Sequence, residues 1–150
     1  ATVCAPELLR TSETVREGHG EIRQMSPQQS IFTLCRMVSS RIIPNTYDYL
    51  PGKETEYPFV FIGEQFAQDT RKKNVVIGNV QQTIHVYHND YGKRGSTTKI
   101  MNDILAELRK QKKAGLYSID LAGVSMQVIP DNTTSTPLLH GIMELNFKFN

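Results

Sequence analysis

The fold is decided by the stretch NVVIGNVQQTIHVYH, residues 74–88. Apolar and polar side chains alternate along it, which is the pattern of a β-strand with one buried face. One face carries Val80, Ile84 and Val86; the other carries Gln81, Thr83, His85 and Tyr87. A plain solvent-facing surface is the favoured interpretation of that second face, although its mixture of polar and aromatic groups also suits contact with another protein.

A partner for this strand precedes it in the chain. The segment YPFVFIGEQF, residues 57–66, is rich in aromatic and β-branched residues, and the polar run AQDTRKK, residues 67–73, supplies a turn between the two. The spacing therefore predicts a long hairpin. Gly63 and Gly78 fall inside its strands, where glycine indicates a bulge or a close approach of the backbone.

Two amphipathic helices flank the hairpin in the sequence. The first has an N-cap at Ser26, followed by proline and glutamine in a capping-box arrangement, and should end before Pro44. The second should begin at an N-cap on Ser96 or Thr97 and end at Gly115. Its predicted apolar stripe consists of Ile100, Met101, Ile104, Leu105 and Leu108.

The last third of the chain predicts two more strands, SIDLAGVSMQVIP (118–130) and HGIMELNFKFN (140–150), joined by a polar loop over 131–137. The element order is thus α-β-β-α-β-β. We expect an α+β fold, with helices on one face of a mostly antiparallel sheet of about four strands. This domain spans 26–150. Residues 1–25 form a charged N-terminal arm, which we expect a neighbouring subunit to hold.

The turn YHNDYGKRGSTTKI, residues 87–100, contains glycines, basic residues and hydroxyls, and so invites comparison with a phosphate-binding loop. That loop requires a glycine five residues ahead of a Gly-Lys-Ser/Thr run. Here Thr97 stands where the second glycine is needed, and Lys99 follows the hydroxyls instead of preceding them. The motif fails, and we interpret the turn as a connection between strand and helix.

Composition excludes several classes of function. The chain has 150 residues, 39% hydrophobic and 21% charged, and its net charge of +2 gives no argument for nucleic acid or membrane. No apolar run approaches the ~20 residues of a membrane span, and the N-terminus does not resemble a signal peptide. Cys4 and Cys35 are too few for a disulfide framework or a zinc site, and we expect both to be reduced.

Catalytic and metal-binding constellations are not evident in the sequence. His85 and His88 are three residues apart on one strand and therefore point to opposite faces. His88 and Asp90 would share a face only if the strand continued past His88. An active site would need a pocket that brings His85 or His88 near a carboxylate. We expect no catalytic residue, no metal and no cofactor, and the basic run 71–73 is interpreted as a solvated turn.

From Ser26 to Asn150 the chain resembles the tail terminator (tail completion, or tail-to-head joining) proteins of long-tailed bacteriophages. The resemblance rests on YPFVFIGE (57–64), on TIHVYHNDYGKRGS (83–96) running into IMNDILAELRK (100–110), and on the closing strand ELNFKFN (144–150). The arm of residues 1–25 departs from the family, whose members often begin close to the first helix.

The resemblance implies a structural function in the virion. Such proteins form a ring, usually of six subunits, that caps the tail tube, stops its polymerisation and joins it to the head connector. DNA passes through the ring without being read. The contact candidates are Gln68, Asp69, Thr70, Arg71, Lys72 and Lys73 in the hairpin, Thr83, His85 and Tyr87 on the strand face, and Asp131, Asn132, Thr133 and Thr134 in the last loop.

Two other interpretations remain open at the level of sequence. The chain could be a neighbouring neck or tail-tube ring protein. It could also be a small nucleic-acid-binding domain that uses the basic helix end 109–113, in which case aromatic residues should line the exposed sheet face, where only Tyr87 is evident.

Overall fold

The computed structural model describes residues 25–52, 54–72, 75–133 and 137–150, with only the backbone of 70–72 and 75–76. Helix α1 spans Pro27–Ile42 and helix α2 spans Arg94–Arg109. The strands are β1 (Thr46–Tyr47), β2 (Phe59–Lys72), β3 (Val75–His88), β4 (Lys113–Ala114), β5 (Tyr117–Asp131) and β6 (Leu138–Phe149). The predictions for the arm lie outside the described residues, apart from Met25.

The strands form one curled sheet in the order β1-β2-β3-β6-β5-β4. The α+β class is confirmed, and the four long strands are those predicted. The expectation of about four strands was incomplete, because β1 and β4 add two-residue edge strands. The sheet is also mixed, since β1 runs parallel to β2 while the other neighbours are antiparallel. Strands of two residues are too short to show a period in the sequence.

Both helices pack on one face of the sheet, where alternate residues of β2, β3 and β6 enclose the core. Val60 and Ile62 of β2 and Ile84 of β3 are fully or almost fully buried there. The buried stripe of α1 includes Ile31, Cys35 and Val38; that of α2 comprises Thr97, Met101, Ile104, Leu105 and Leu108. Among the described residues, no helix packs on the opposite face of the sheet, and we call it the open face.

The start of α1 is the one predicted. Ser26 is its N-cap, and the Ser26 hydroxyl accepts a hydrogen bond from the Gln29 backbone N–H at 3.1 Å. The side chain of Gln29 donates to Thr33 at 3.2 Å, so that only half of the capping box is formed.

The predicted limits of α2 were wrong. The helix begins at Arg94, after a 3-10 turn over Tyr91–Lys93, so that Thr97 lies inside it and donates to the Lys93 carbonyl. It ends at Arg109, well before Gly115. Gly115 instead has a φ of 59° between β4 and β5, a conformation that glycine adopts without steric cost. Gly115 therefore marks a tight hairpin between β4 and β5, and not the end of a helix.

Candidate functional site: the open face and the two ends of the sheet

The predicted contact residues lie in three places on the sheet. Strand direction puts the β2–β3 turn at one end and the β5–β6 loop at the other, because β3 and β6 pair antiparallel from Gly78↔Phe149 to His88↔Leu139. The strand-face candidates lie between these ends. The two predicted loops are thus well separated, and the structure does not bring them together into one site.

The β2–β3 hairpin extends past the rest of the sheet. Pairing with β6 stops at Gly78, whereas β2 and β3 continue to pair with each other as far as Lys72↔Val75. Gln68 and Asp69 are exposed at the base of this extension. The backbone of Thr70, Arg71 and Lys72 belongs to β2, and Lys73 lies outside the described residues.

The β5–β6 loop is held at its start by Asp131, the last residue of β5. Oδ1 of Asp131 accepts hydrogen bonds from the backbone N–H of Thr133 at 2.9 Å and from its hydroxyl at 2.6 Å. These bonds favour the ionised carboxylate and lower the pKa of Asp131. The Tyr91 hydroxyl, from the 3-10 turn before α2, donates to Oδ1 of Asn132 at 2.7 Å. Thr134 lies outside the described residues.

The strand-face candidates are not the solvent-facing row that the sequence predicted. Thr83 is 7% exposed and His85 is 9% exposed, and Tyr87 is half-buried, although no helix in the described part of the chain covers them. His85 and Tyr87 are covered instead by rings on neighbouring strands. Alternation along one strand could not show this, because it depends on which strands become neighbours.

Aromatic rings cross the open face from strand to strand. The His85 ring stacks on Phe61 of β2 at a centroid distance of 5.4 Å. Tyr87 stacks on Phe59 at 5.1 Å and on His140 of β6 at 4.3 Å. The expectation that Tyr87 would be the only aromatic group here was wrong, because β2 presents Phe59 and Phe61 to the same face.

A chain of three titratable groups runs through these rings. Nε2 of His85 lies 2.7 Å from Oε1 of Glu64, and Nδ1 of His85 lies 2.7 Å from Nε2 of His140. The carboxylate can only accept, so His85 donates from Nε2. Neutral His85 then has a lone pair on Nδ1, which accepts from the Nε2–H of His140. We call Glu64, His85 and His140 the histidine relay.

A bulge in β2 positions Glu64 for the relay. The register of β2 against β3 shifts between Ile62 and Gln65, which confirms the bulge predicted at Gly63. A Cβ on Gly63 would lie 2.7 Å from the His85 ring, so a larger residue would displace the imidazole. Buried Gln82 holds the bulge, since its amide nitrogen donates to the carbonyls of Gly63 and Glu64 at 3.0 and 3.1 Å.

The relay has a defined electrostatic bias. The hydrogen bond from His85 lowers the pKa of Glu64, so that this carboxyl remains ionised. Burial, followed by the proximity of His85, lowers the pKa of His140 below its ordinary 6.5. Burial raises the pKa of Tyr87, which is therefore neutral wherever the histidines titrate. The relay thus has the ionised carboxylate of Glu64 at one end. At the other end is His140, whose lowered pKa disfavours its protonation.

The pairing of Glu64 with His85 resembles the arrangement in hydrolases in which a carboxylate orients a histidine that acts as a general base. The sequence did not pair His85 with a carboxylate, whereas the structure does so with Glu64. In a hydrolase, however, the second nitrogen of such a histidine faces a Ser, Thr or Cys nucleophile. In this chain that nitrogen faces His140. The arrangement can hold and transfer protons but presents no activated nucleophile.

The signals that pointed to the relay were indirect. Gly63 predicted the bulge, and His140 opens the last predicted strand, but neither residue revealed that β3 would lie between β2 and β6. Within the described ranges, no group of three or more His, Cys, Asp or Glu side chains is placed to hold a metal ion. The strand ends at His88, so the condition for His88 and Asp90 to share a face is not met; Asp90 instead accepts from the Gly92 N–H and caps the 3-10 turn.

The basic helix end lies in the other layer of the fold. Arg109, Lys112 and Lys113 are exposed where α2 leads into β4, while Lys110 pairs with Glu107 at 2.8 Å. Arg109 and Lys110 lie at the end of α2, in the helical layer, whereas the aromatic rings are on the open face. In the part of the chain that the structure describes, no helix is both long and apolar enough to cross a membrane.

Comparison with known proteins shows a likeness of fold. No family model and no curated protein matches the chain. Among solved structures, it is similar to a chain of the "Virion of native gene transfer agent (GTA) particle". The identity is 13%, the TM-score is 0.54, and the match covers 75% of this chain and 82% of the other. At this identity the likeness concerns the fold: the α+β architecture described above is one that a component of a virion particle adopts.

Proposed function

We propose that this protein is a structural component of a phage-like virion, and more specifically a tail terminator. Copies of it form a ring, usually of six subunits, on the last ring of the tail tube. The ring stops tube polymerisation and binds the head connector, and DNA passes through its channel without sequence readout. The protein assembles in the host cytoplasm, resides in the virion tail, binds no cofactor and is not an enzyme.

The observation that carries the proposal is the placement of the two predicted loops at opposite ends of one sheet. A ring between a tail tube and a connector needs two contact surfaces that face away from each other. The hairpin beyond Gly78 supplies a projecting element at one end. The loop that begins at Asp131 supplies the other. Gln68, Asp69, Asn132 and Thr133 are exposed and available for such contacts.

The sheet edges support assembly into a ring. Among the described residues, β1 pairs with β2 only at Val60 and Phe61, and β4 pairs with β5 only at Tyr117 and Ser118. Beyond these pairs, and apart from the Ile119 N–H, which donates to the Lys112 carbonyl, the outer edges of β2 and β5 have no strand neighbour among the described residues. Such edges are templates for pairing or covering by another chain. The two edges differ from each other, and contact between unlike surfaces generates rings when the rotation closes.

The fold likeness supports the broader part of the proposal. The gene transfer agent chain belongs to a virion, and the match extends over 82% of its length. A neck or tail-tube ring protein with the same architecture is the nearest alternative. Binding to nucleic acid is less well supported, because the cations at the end of α2 and the rings of the open face lie in different layers, whereas a single-strand groove combines both on one surface.

The first test is the solution mass by light scattering over a concentration series, with and without tail tubes. The terminator proposal expects a closed ring, or a monomer that forms one when tubes are added. It also expects tubes to stop growing at normal length. A strict monomer that ignores tubes and binds DNA with a steep dependence on salt would instead favour the nucleic-acid alternative.

The second test removes the projecting hairpin without disturbing the sheet. Asp69 and Gly78 are paired neighbours, so residues 70–77 can be replaced by Asn-Gly, which forms a two-residue turn. The variant should fold, as judged by its urea midpoint, but should no longer cap tubes. Gly95→Ala, on the first turn of α2, is the control and should cap normally. Normal-length, DNA-filled particles from the hairpin variant would contradict the assignment of this surface.

A further inference from the structure

The His85–His140 contact can accommodate only one hydrogen between its two nitrogens. In the neutral pair that hydrogen belongs to His140, since Glu64 fixes the tautomer of His85. One further proton can bind to Nδ1 of His140 without disturbing the contact. When His85 is charged as well, both facing nitrogens carry hydrogen, no lone pair remains between them, and two like charges stand 2.7 Å apart.

The contact must therefore open when both rings are charged, and the surroundings decide which ring leaves. His85 is 9% exposed, stacks on Phe61 and keeps its hydrogen bond to Glu64. His140 is half-buried and stacks on Tyr87, but among the described residues its side chain makes only the hydrogen bond that is lost, whereas His85 keeps a second one. His85 stays in place, and His140 is the ring that turns away.

A second acceptor for His140 is available on β5. Asp131 pairs with Leu138, which is two residues before His140 on the same face of β6. Such diagonal neighbours have Cβ atoms about 7 Å apart, within reach of an imidazole. The Asp131 carboxylate already interacts electrostatically with His140 and also caps the β5–β6 loop through Thr133.

The charged and titratable groups that face the pair come from every neighbouring strand. Glu64 comes from β2, Tyr87 from β3 itself and Asp131 from β5, while Tyr57 approaches Tyr87 from the segment before β2. Burial raises the pKa of Tyr87, so this group is neutral throughout the histidine range. A cationic His140 therefore meets two carboxylates, of which Glu64 is already engaged by His85.

We propose that His85 and His140 form a proton-operated switch on the open face, which breaks when both rings are charged and transfers His140 from His85 to Asp131. The transfer gives a new partner to the carboxylate whose Oδ1 already accepts from Thr133, and it thereby changes the start of the β5–β6 loop. Because Asn132 in that loop also accepts from Tyr91, the change extends to the turn before α2. The inference concerns this chain alone and does not depend on the terminator proposal.

The test is an NMR titration of protein labelled with 15N in the histidine rings, acidified from about pH 8 until both rings are doubly protonated. At the upper limit the facing nitrogens of His85 and His140 should show the signals of a hydrogen-bonded pair. On acidification those signals should be lost as both rings reach the doubly protonated form, and the Thr133 amide resonance should shift in the same step. The hydrogen bonds from Thr133 lower the pKa of Asp131, which favours its ionised form.

Asp131→Asn is the matched variant, because an amide oxygen can still accept from the Thr133 N–H while the negative charge is removed. In this variant the histidine contact should still open, but the Thr133 resonance should not follow. The proposal is overturned if the contact persists with both rings doubly protonated. It is equally overturned if the Thr133 resonance shifts to the same extent in Asp131→Asn, since the loop would then respond without the transfer.

Discussion

Replacing Gln82 by methionine should destabilise the protein far more than its size and shape suggest. Gln82 is 0% exposed, and its side chain is surrounded by polar partners within the bulge of β2. Its amide nitrogen donates to the carbonyls of Gly63, Glu64 and Thr83 at 3.0 to 3.1 Å, and its oxygen accepts from Gln65 at 2.9 Å. Methionine fills nearly the same volume and makes none of these bonds.

The expected cost follows from the bonds that are lost. A typical hydrogen bond contributes a net ~1 kcal/mol, and a buried carbonyl left without a donor costs about 1–3 kcal/mol. The two amide hydrogens of Gln82 are shared among three carbonyls, and methionine has no hydrogen to donate to any of them. Partial relaxation of the bulge and the apolar gain from the methionine side chain offset part of the loss. We expect the free energy of unfolding to fall by about 2–4 kcal/mol.

Urea denaturation measures this change, and the neighbouring residue provides the control. Gln81 is exposed on the open face and makes no side-chain hydrogen bond within the described residues. Gln81→Met is therefore the same chemical change one position away, and it should alter stability by less than about 0.5 kcal/mol. If the two variants have equal midpoints, the amide network of Gln82 does not hold the bulge and the reasoning is wrong.

Three further predictions concern other parts of the fold. Gly78→Ala places a Cβ 2.2 Å from the Gln68 carbonyl oxygen and should lower the urea midpoint. Gly95→Ala has open space around its Cβ and should raise the free energy of unfolding by up to about 1 kcal/mol. Equal midpoints for the two variants would refute the pairing geometry at Gly78. Because the pKa of His140 is lower in the folded protein than its ordinary 6.5, the unfolded chain binds more protons below that pH, and the free energy of unfolding should decline as the pH falls through this region. His140→Gln should flatten that part of the curve, and an unchanged pH profile would contradict the assignment. Burial raises the pKa of Cys35 to about 12, so alkylation followed by peptide mass mapping should leave Cys35 unlabelled until the protein is unfolded; labelling of the native protein would show that this part of the core opens.

The fold was largely predictable because its long elements have strong periodic patterns. The alternation over 75–88 and 138–149 reflects strands that are buried on one face, and the capping signal at Ser26 marks α1 correctly. The predictions that failed concerned elements that are very short or whose limits depend on tertiary context. The two-residue strands have no period to detect, and the N-terminus of α2 lacks a side-chain cap, so its start at Arg94 has no local signal.

The candidate site was only partly predictable, for a different reason. The β5–β6 loop at Asp131 could be located from turn residues alone, because turn chemistry is local. The turn predicted over 67–73 was wrong, because β2 continues through these polar residues as far as Lys72. The histidine relay depends on three strands becoming neighbours. Glu64, His85 and His140 are separated in the chain by 21 and 55 residues. Periodicity places each of them on a face, but only the strand order β2-β3-β6 makes them adjacent.

The antiparallel pairing of β3 with β6, which we call the seam, has a consequence for how the chain reaches its native state. The β2–β3 and β5–β6 pairs are hairpins, whose contacts close short loops. The β3–β6 ladder instead joins segments about 50–70 residues apart, with α2 between them. Closing such a loop is entropically costly and is repaid only when the two hairpins meet. Docking of two preformed halves across this seam should therefore limit the folding rate, and substitutions at Ile84 or Met143 should slow refolding more than comparable substitutions within either hairpin.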